Sequence, residues 1–138
     1  MTNWNDRNRS VIEEFRANKG EAGGSFSGRP LLLLTTNGRK SGQAYTNPLM
    51  YLPDGDRWIV FASKGGDPKN PDWYHNLVAN SIVTLEVDAE TFEAEATEVT
   101  GEERDLLYAR QTQLFPNFAE YETMTTRKIP VIALTRKR

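Results

Sequence analysis

Two glycine-containing turns hold the basic residues of this sequence that are best suited to bind an anion. Gly38-Arg39-Lys40-Ser41-Gly42 follows the apolar run Leu31–Thr35, and Ser63-Lys64-Gly65-Gly66 follows the apolar run Trp58–Ala62. Glycine lets backbone N–H groups approach an anion closely, and arginine or lysine supplies positive charge. The two turns therefore predict an anion-binding site at the ends of two strands.

A helix is predicted to start soon after the second turn, in the segment Asn70-Pro71-Asp72-Trp73-Tyr74-His75-Asn76-Leu77. The first N–H groups of a helix have no partner inside it and lie at the positive end of its dipole, so they favour anions. Trp73 would offer a flat aromatic face beside them. The turns and the helix start together suit a planar ring that carries a phosphate tail, as in a flavin-like or nucleotide-like cofactor.

Other kinds of catalytic site are not indicated. The sequence has no cysteine and one histidine, His75, which excludes a thiolate nucleophile and a histidine-rich metal site. The first turn has the wrong residue order for a Walker P-loop, and no Gly-x-Ser-x-Gly elbow is present. No residue looks able to perform redox or hydrolytic chemistry alone. We therefore expect no metal, and a cofactor that carries out the difficult step if the protein is an enzyme.

Each of these features also has a purely structural interpretation. A turn such as Gly38–Gly42, taken alone, is more often a solvated hairpin turn. Trp73 alone is more often a core aromatic residue, and a lone histidine on a helix, such as His75, is usually structural. The functional interpretation is favoured because the two turns occur together, each at a strand end, with the helix start close behind.

Length and composition indicate a globular protein with one domain over residues 1–138, since 26% of the residues are charged and 38% are hydrophobic. Residues 29–69 carry a net charge of +3, whereas residues 86–105 carry −8. This asymmetry favours a local anion site over a nucleic-acid surface, which needs a broader basic face. Without a long apolar run or a signal-peptide pattern, the expected location is the cytoplasm, with membrane contact at most peripheral.

The pattern along the chain predicts a mainly β, α+β fold. An N-terminal helix is expected to about Lys19, followed by a flexible glycine-rich segment to Gly28. A helix with a capping box at Thr100–Glu103 is expected to reach Leu114, and a short helical piece to begin at Pro116. Six strands suggest a small antiparallel barrel with helices over its openings. The predicted strands are Leu31–Thr36, Tyr45–Leu52, Arg57–Ala62, Ile82–Val87, Thr91–Val99 and Ile129–Thr135.

In combination, the motifs resemble those of the deazaflavin-dependent nitroreductase family over most of the chain, from about Leu31 to Ala133. The matching segments are Thr35–Gly42, Asn47-Pro48-Leu49, Ala62–Gly66, Asn70–Leu77, Ala79-Asn80, Phe115-Pro116 through Tyr121, and Arg127–Pro130. The resemblance implies a split β-barrel of the FMN-binding-like type. It also implies coenzyme F420, an 8-hydroxy-5-deazaflavin with a phosphate and an oligoglutamate tail. Such a protein would be an F420H2-dependent oxidoreductase that passes a hydride to a quinone, an activated alkene or a nitroaromatic, while a second enzyme supplies the reduced cofactor.

The same resemblance implies roles for individual residues. The phosphate and the anionic tail would be held by two basic residues, Arg39 and Lys40. The ring edge would be contacted, largely through backbone N–H groups, by Ser63, Lys64, Gly65 and Gly66. Part of the ring wall would be formed by Pro71 and Trp73. The substrate pocket would contain Phe115, Phe118 and Tyr121, and the expected catalytic residues are Tyr121 and Ser63.

Three positions depart from the family pattern. Tyr45 stands where members often have an arginine that helps to bind the tail, and Phe115 and Phe118 stand where nitroreductase members have tyrosines. A quinone or an enone is therefore the expected acceptor rather than a bulky nitro compound. Two alternatives stay open: a protein that binds or carries F420 without turnover, and an FMN- or haem-binding split-barrel relative.

Overall fold

The computed structural model describes residues 4–18, 30–63 and 69–137. The elements in these ranges are α1 (Trp4–Ala17), β1 (Leu31–Asn37), β2 (Ala44–Met50), β3 (Leu52–Asp54), β4 (Arg57–Phe61), α2 (Asp72–Ala79), β5 (Ile82–Val87), β6 (Glu90–Val99), α3 (Gly101–Leu114), α4 (Asn117–Met124) and β7 (Val131–Arg136). The glycine-rich segment to Gly28 and the turn residues Lys64, Gly65 and Gly66 lie outside the described ranges. Within these ranges no helix combines the length and the apolar character that crossing a membrane requires.

The described strands form one antiparallel sheet of seven strands, in the order β2-β1-β5-β6-β7-β4-β3. The predicted class, mainly β with peripheral helices, is confirmed, but the predicted number of six strands is wrong. The predicted strand Tyr45–Leu52 is two strands, because Tyr51 leaves the ladder and donates its N–H to the Pro30 carbonyl at 3.2 Å. β2 then pairs with β1, whereas β3 pairs with β4.

The break at Tyr51 brings the two edges of the sheet together. β2 and β3 lie at opposite ends of the strand order, yet Tyr51 alone separates Met50 from Leu52. Because two residues of extended chain span at most about 7 Å, the two edges must lie close to each other. The sheet therefore curls into a barrel that is open between β2 and β3, which fits the split-barrel class.

Apolar side chains cover both faces of the curled sheet. The inner face carries alternate residues of five strands, such as Leu32 and Leu85, and helix α2 adds Trp73 and Leu77 to this inner core. The outer face of β4 and β7 packs against α3 and α4, and Phe15 of α1 covers the outer face of β1. Because α2 packs on the inner face, its residues are the ones held next to the barrel interior.

The start of α3 differs from the prediction. Thr100 is the N-cap, but its side chain makes no capping hydrogen bond, so the predicted capping box is absent. Gly101 has a φ angle of +67°, in the left-handed region. Glycine takes this conformation at little cost because it has no Cβ. The chain therefore enters α3 from β6 through a glycine turn.

Two polar side chains of α3 are buried against the outer face of the sheet. Arg104 is satisfied, since Nε and Nη2 donate to the Ile129 carbonyl at 3.2 and 2.9 Å. Gln111 is fully buried, and neither Nε2 nor Oε1 has a hydrogen-bond partner in the part of the chain that the structure describes. Burying an amide without partners costs free energy of folding.

An arginine fork ties the β3–β4 hairpin to α3. Nη1 of Arg110 donates to Asp54 Oδ1 at 3.0 Å, and Nη2 donates to the Pro53 carbonyl at 3.3 Å. Arg57 also donates to Asp54. Hydrogen bonds from Arg57 and Arg110 hold the pKa of Asp54 below its usual value, so the carboxylate form fastens the hairpin.

Candidate functional site

The first predicted turn is a tight loop between β1 and β2. Gly38 N–H donates to the Gln43 carbonyl at 2.7 Å, and Gly42 N–H donates to the Gly38 carbonyl at 2.9 Å. The φ angle of Gly42 is +72°, a conformation that favours glycine. A Cβ at Gly38 would lie 2.8 Å from both Ser41 Oγ and Tyr45 Cε2. This loop conformation therefore needs both glycines.

Tyr45 lies against the first turn. Its hydroxyl donates to Gln43 Oε1 at 3.3 Å and is 3.3 Å from Ser41 Oγ. The side chain is partly exposed, and its ring edge fills the space beside Gly38. Because Tyr45 is neutral, the charge of this loop comes from Arg39 and Lys40.

Asn76 connects the first turn to helix α2. Its side chain is buried, and its Oδ1 accepts hydrogen bonds from the Arg39 backbone N–H at 3.2 Å and from Arg39 Nη1 at 3.1 Å. Its Nδ2 donates to Thr36 Oγ1 at 3.2 Å. Arg39 Nη2 lies 3.8 Å from Asp72 Oδ1. The Arg39 guanidinium is thus held beside the first turn of α2, and Lys40 is exposed next to it.

The N-terminal end of α2 has no side-chain cap. Its N-cap is Pro71, whose backbone is extended, and the Tyr74 N–H donates to the Pro71 carbonyl at 3.1 Å. An uncapped helix start can offer N–H groups to an anion. Asp72 opposes an anion at this end, but it lies within ion-pair distance of Arg39.

The side chains along α2 place its predicted residues differently. Trp73 is 6% exposed and packs in the inner core, as its structural interpretation predicts. Its part in a ring wall, like that of the buried Pro71, stays a prediction. Tyr74 donates to Glu98 Oε1 at 2.6 Å, and burial together with this bond raises the pKa of Tyr74 to about 12. Tyr74 therefore keeps its proton at neutral pH and anchors α2 to β6. His75 is exposed.

Arg127 bridges the two described ends of the segment that contains the second turn. Its Nη2 donates to the Ser63 carbonyl at 2.9 Å, and its Nη1 donates to Asn70 Oδ1 at 2.7 Å. Ser63 is buried, and Asn70 directly precedes the Pro71 cap of α2. The structure therefore connects both Arg39 and Ser63 to α2, the first through Asn76 and the second through Arg127 and Asn70.

The three predicted pocket aromatics lie on or before α4. Phe118 is 6% exposed, and its ring centre lies 5.7 Å from that of Phe61 and 5.1 Å from that of Tyr121. Tyr121 and Phe115 are half-buried beside it. The Tyr121 hydroxyl accepts a hydrogen bond from Asn117 Nδ2 at 2.8 Å. The roles of these three aromatics toward a substrate stay predictions.

Two residues of the site were not assigned roles from the sequence, although both lie within the quoted motifs. Asn76 has a sequence signal, because it is a polar residue on the same helix face as Trp73 and Leu77. No local sequence signal marks Arg127, because its partners Ser63 and Asn70 are 64 and 57 residues away in the chain.

The sequence is similar to one protein family over nearly its whole length. The model of the F420H(2)-dependent quinone reductase family matches residues 7–136. A protein of Mycobacterium tuberculosis named F420H(2)-dependent quinone reductase is 40% identical over 129 residues, which cover 89% of this chain and 85% of that protein.

Comparison with solved structures gives a consistent result. The structure of an F420-H2 dependent reductase, FDR-A, superposes with a TM-score of 0.70 at 40% identity, covering 77% of this chain and 94% of that one. HutZ, described as a haem storage protein from Vibrio cholerae, superposes with a TM-score of 0.60 at 17% identity, covering 92% of this chain and 88% of that one. At that identity the second likeness shows the fold alone.

Proposed function

Because the chain belongs to the F420H(2)-dependent quinone reductase family, we propose that it binds coenzyme F420 and reduces a quinone with the reduced cofactor. The observation that carries the proposal is the arrangement around the N-terminal end of α2. The basic, glycine-containing first turn is held by Asn76 of α2, and Arg127 ties buried Ser63 to Asn70, directly before the Pro71 cap.

The donors around this end suit an anionic cofactor. Asn76 holds Arg39 in place, Lys40 extends beside it, and the start of α2 has no side-chain cap. Arg39 and Lys40 would bind the phosphate and the oligoglutamate tail by charge-assisted hydrogen bonds. Ser63 would contact the ring edge, together with the predicted residues Lys64, Gly65 and Gly66.

Reduction of a quinone to a hydroquinone consumes one hydride and one proton. When bound, reduced F420 supplies the hydride. The chain must position the acceptor and provide a hydrogen bond to the oxygen on which charge develops. Tyr121 suits this task, because its hydroxyl oxygen accepts from Asn117 Nδ2 and its own proton is not used in that bond.

The surroundings of Tyr121 favour a flat, largely apolar acceptor such as a quinone or an enone. Phe115 and Phe118 lie beside it and bring phenyl rings without hydroxyl groups. A nitro compound that needs a second phenol for orientation would find none at these two positions. The acceptor and an enzyme that regenerates the reduced cofactor are the partners that this function requires.

Replacing Lys40 by alanine is expected to weaken F420 binding about tenfold or more. A hydrogen bond to a charged group contributes about 1.5–3 kcal/mol when well made, and 1.4 kcal/mol corresponds to tenfold in affinity. The dissociation constant, measured by fluorescence titration at low and high salt, checks this, because salt screens an exposed charge. Lys137→Ala, at an exposed position after β7, is the matched control.

Parallel titrations with FMN and with haem separate the alternatives. Tighter binding of F420 than of FMN by the wild type supports the proposal, and equal or tighter FMN binding contradicts it. If the Lys40→Ala variant binds F420 as tightly as the wild type, the first turn is only a solvated hairpin turn and does not bind the cofactor. Tight F420 binding without turnover of any quinone would identify a carrier.

Replacing Tyr121 by phenylalanine is expected to lower kcat for quinone reduction by about tenfold to a hundredfold, with little change in F420 affinity. The reason is that the variant loses a hydrogen bond made to developing charge, which contributes more in the transition state than in the ground state. Steady-state kinetics with one quinone and one nitro compound test this. Asn117→Ala should have a smaller effect in the same direction, and Tyr74→Phe is the control. If the Tyr121→Phe variant has the kcat of the wild type, the Tyr121 hydroxyl takes no part in the reaction.

A further inference from the structure

The buried side of helix α3 contacts α4, the helix that carries Tyr121. Tyr108 lies on that side of α3, and its side chain is 2% exposed. Its hydroxyl donates to the backbone carbonyl of Phe118, in the first turn of α4, at 2.7 Å. A buried side chain of one helix therefore holds the backbone of the other by a directed hydrogen bond.

The ring of Tyr108 belongs to a cluster of three aromatic rings from β4, α3 and α4. Its centre lies 5.7 Å from that of Phe61 and 6.4 Å from that of Phe118, and the rings of Phe61 and Phe118 are 5.7 Å apart. All three pairs have the edge-to-face geometry that aromatic rings prefer. Tyr121 packs at the border of this cluster, with its ring centre 5.1 Å from that of Phe118. The cluster thus connects the sheet and α3 to the ring of Tyr121.

A short series of contacts leads from Tyr108 to the Tyr121 oxygen. Phe118 and Tyr121 are three positions apart, so their side chains are neighbours on one face of α4. Asn117, directly before Phe118, donates from Nδ2 to the Tyr121 hydroxyl at 2.8 Å. The backbone that Tyr108 holds is therefore the backbone that places both neighbours of the Tyr121 phenol.

The hydroxyl of Tyr108 does what ring packing alone does not. Apolar contacts are non-directional, so they hold α4 against α3 without fixing its position along that helix. A hydrogen bond weakens steeply when its distance or angle is lost, so it selects one position. Burial raises the pKa of the Tyr108 hydroxyl, and the group therefore keeps its proton and stays a donor at neutral pH.

We propose that Tyr108 is a positioning residue, which holds α4 in the place where the Tyr121 hydroxyl meets the acceptor oxygen. This inference rests on the proposed function, since it deepens the role that Tyr121 has there. Displacement of a reacting group by about 1 Å can cost about a hundredfold in rate. Tyr108 therefore contributes to kcat through Tyr121, and it makes no contribution to the affinity for F420.

The kinetic test uses Tyr108→Phe, which removes the hydroxyl and keeps the ring. It is expected to lower kcat for quinone reduction by about threefold to tenfold, since a small displacement costs less than one of about 1 Å. The dissociation constant of F420 should not change. The double variant Tyr108→Phe/Tyr121→Phe should have the kcat of Tyr121→Phe alone, because no hydroxyl is then left to position.

Thr112→Val is the matched control. Thr112 lies four positions after Tyr108 on α3, and its Oγ1 also donates to a backbone carbonyl, that of Ala109 at 2.8 Å. Because this acceptor belongs to α3 itself, the bond does not reach α4. Thr112→Val should therefore have the kcat of the wild type.

The side-chain amide of Asn117 provides a second measurement, by NMR in the cofactor-free protein. Tyr121→Phe removes the acceptor of this amide, so its spectrum marks where the signals of the unbonded amide lie. Tyr108→Phe should move the Asn117 signals toward that position, because α4 is no longer held in one place. Thr112→Val should leave them where they are in the wild type.

Thermal unfolding of each variant is measured first, and all assays are run well below its midpoint. Three results would each overturn this inference and leave the proposed function intact. These are a wild-type kcat in Tyr108→Phe, single losses of kcat that multiply in the double variant, and Asn117 signals that do not move in Tyr108→Phe. Failure of the wild type to bind F420 would instead overturn the proposed function itself.

Discussion

Replacing Asn76 by leucine is expected to weaken the binding of coenzyme F420 by about thirtyfold. Leucine cannot accept the hydrogen bonds that Asn76 Oδ1 receives from the Arg39 backbone N–H and from Arg39 Nη1. A hydrogen bond from a charged group contributes about 1.5–3 kcal/mol, and a loss of about 2 kcal/mol corresponds to about thirtyfold in affinity. The effect arises because Arg39 loses the support that holds it beside α2.

A fluorescence titration of the purified variant measures this effect. Asn80→Leu is the matched control, since Asn80 lies at the other end of α2, where its Oδ1 accepts the Ile82 N–H at 3.3 Å. Both variants should unfold cooperatively, which is checked by circular dichroism. An Asn76→Leu protein that is folded and binds F420 as tightly as the wild type would show that Arg39 does not depend on Asn76.

Replacing Gln111 by leucine is expected to stabilise the protein by about 1–3 kcal/mol, since it removes a buried amide whose two polar atoms have no partner among the described residues. Leucine has a similar size and leaves no large cavity. The midpoint of thermal unfolding should rise by roughly 3 °C or more. Urea denaturation with an unchanged m-value would attribute the change to stability alone.

Gln113→Leu provides the control for Gln111→Leu, because Gln113 is exposed on the same helix. A surface change of this kind is expected to alter stability by no more than about 0.5 kcal/mol. A loss of stability in Gln111→Leu would mean that the amide has a partner in solution.

Most strands of the sheet could be predicted from the sequence, because their apolar side chains follow the alternation of a sheet or the continuous run of a strand buried on both faces. β1 is the clearest example, with four consecutive leucines of which alternate members face the inner core and α1. The break at Tyr51 could not be predicted, because the residues before and after it, Met50 and Leu52, are both apolar. What separates β2 from β3 is a change of pairing partner, which leaves no local pattern.

The candidate site was predictable only in part, for a related reason. The glycines and basic residues of the first turn are local signals, and the structure gives Gly38 and Gly42 the close contact and the left-handed backbone that require glycine. The hydrogen bonds that hold Arg39 and Ser63 in place are not local in sequence. Asn76 contacts Arg39 across 37 residues, and Arg127 contacts Ser63 across 64 residues. Such contacts depend on the order of strands in the completed sheet.

The hydrogen bond between Arg127 and the Ser63 carbonyl joins residues 64 positions apart, so it can form only late in synthesis of the chain. Translation proceeds from the N-terminus, so both basic turns and α2 leave the ribosome well before Arg127, Pro130 and strand β7. Until then β4 lacks the strand with which Arg57–Phe61 pair, and Ser63 and Asn70 lack the guanidinium that donates to both of them. The nascent chain thus carries Arg39, Ser63 and α2 before it carries Arg127, whose guanidinium donates to the Ser63 carbonyl.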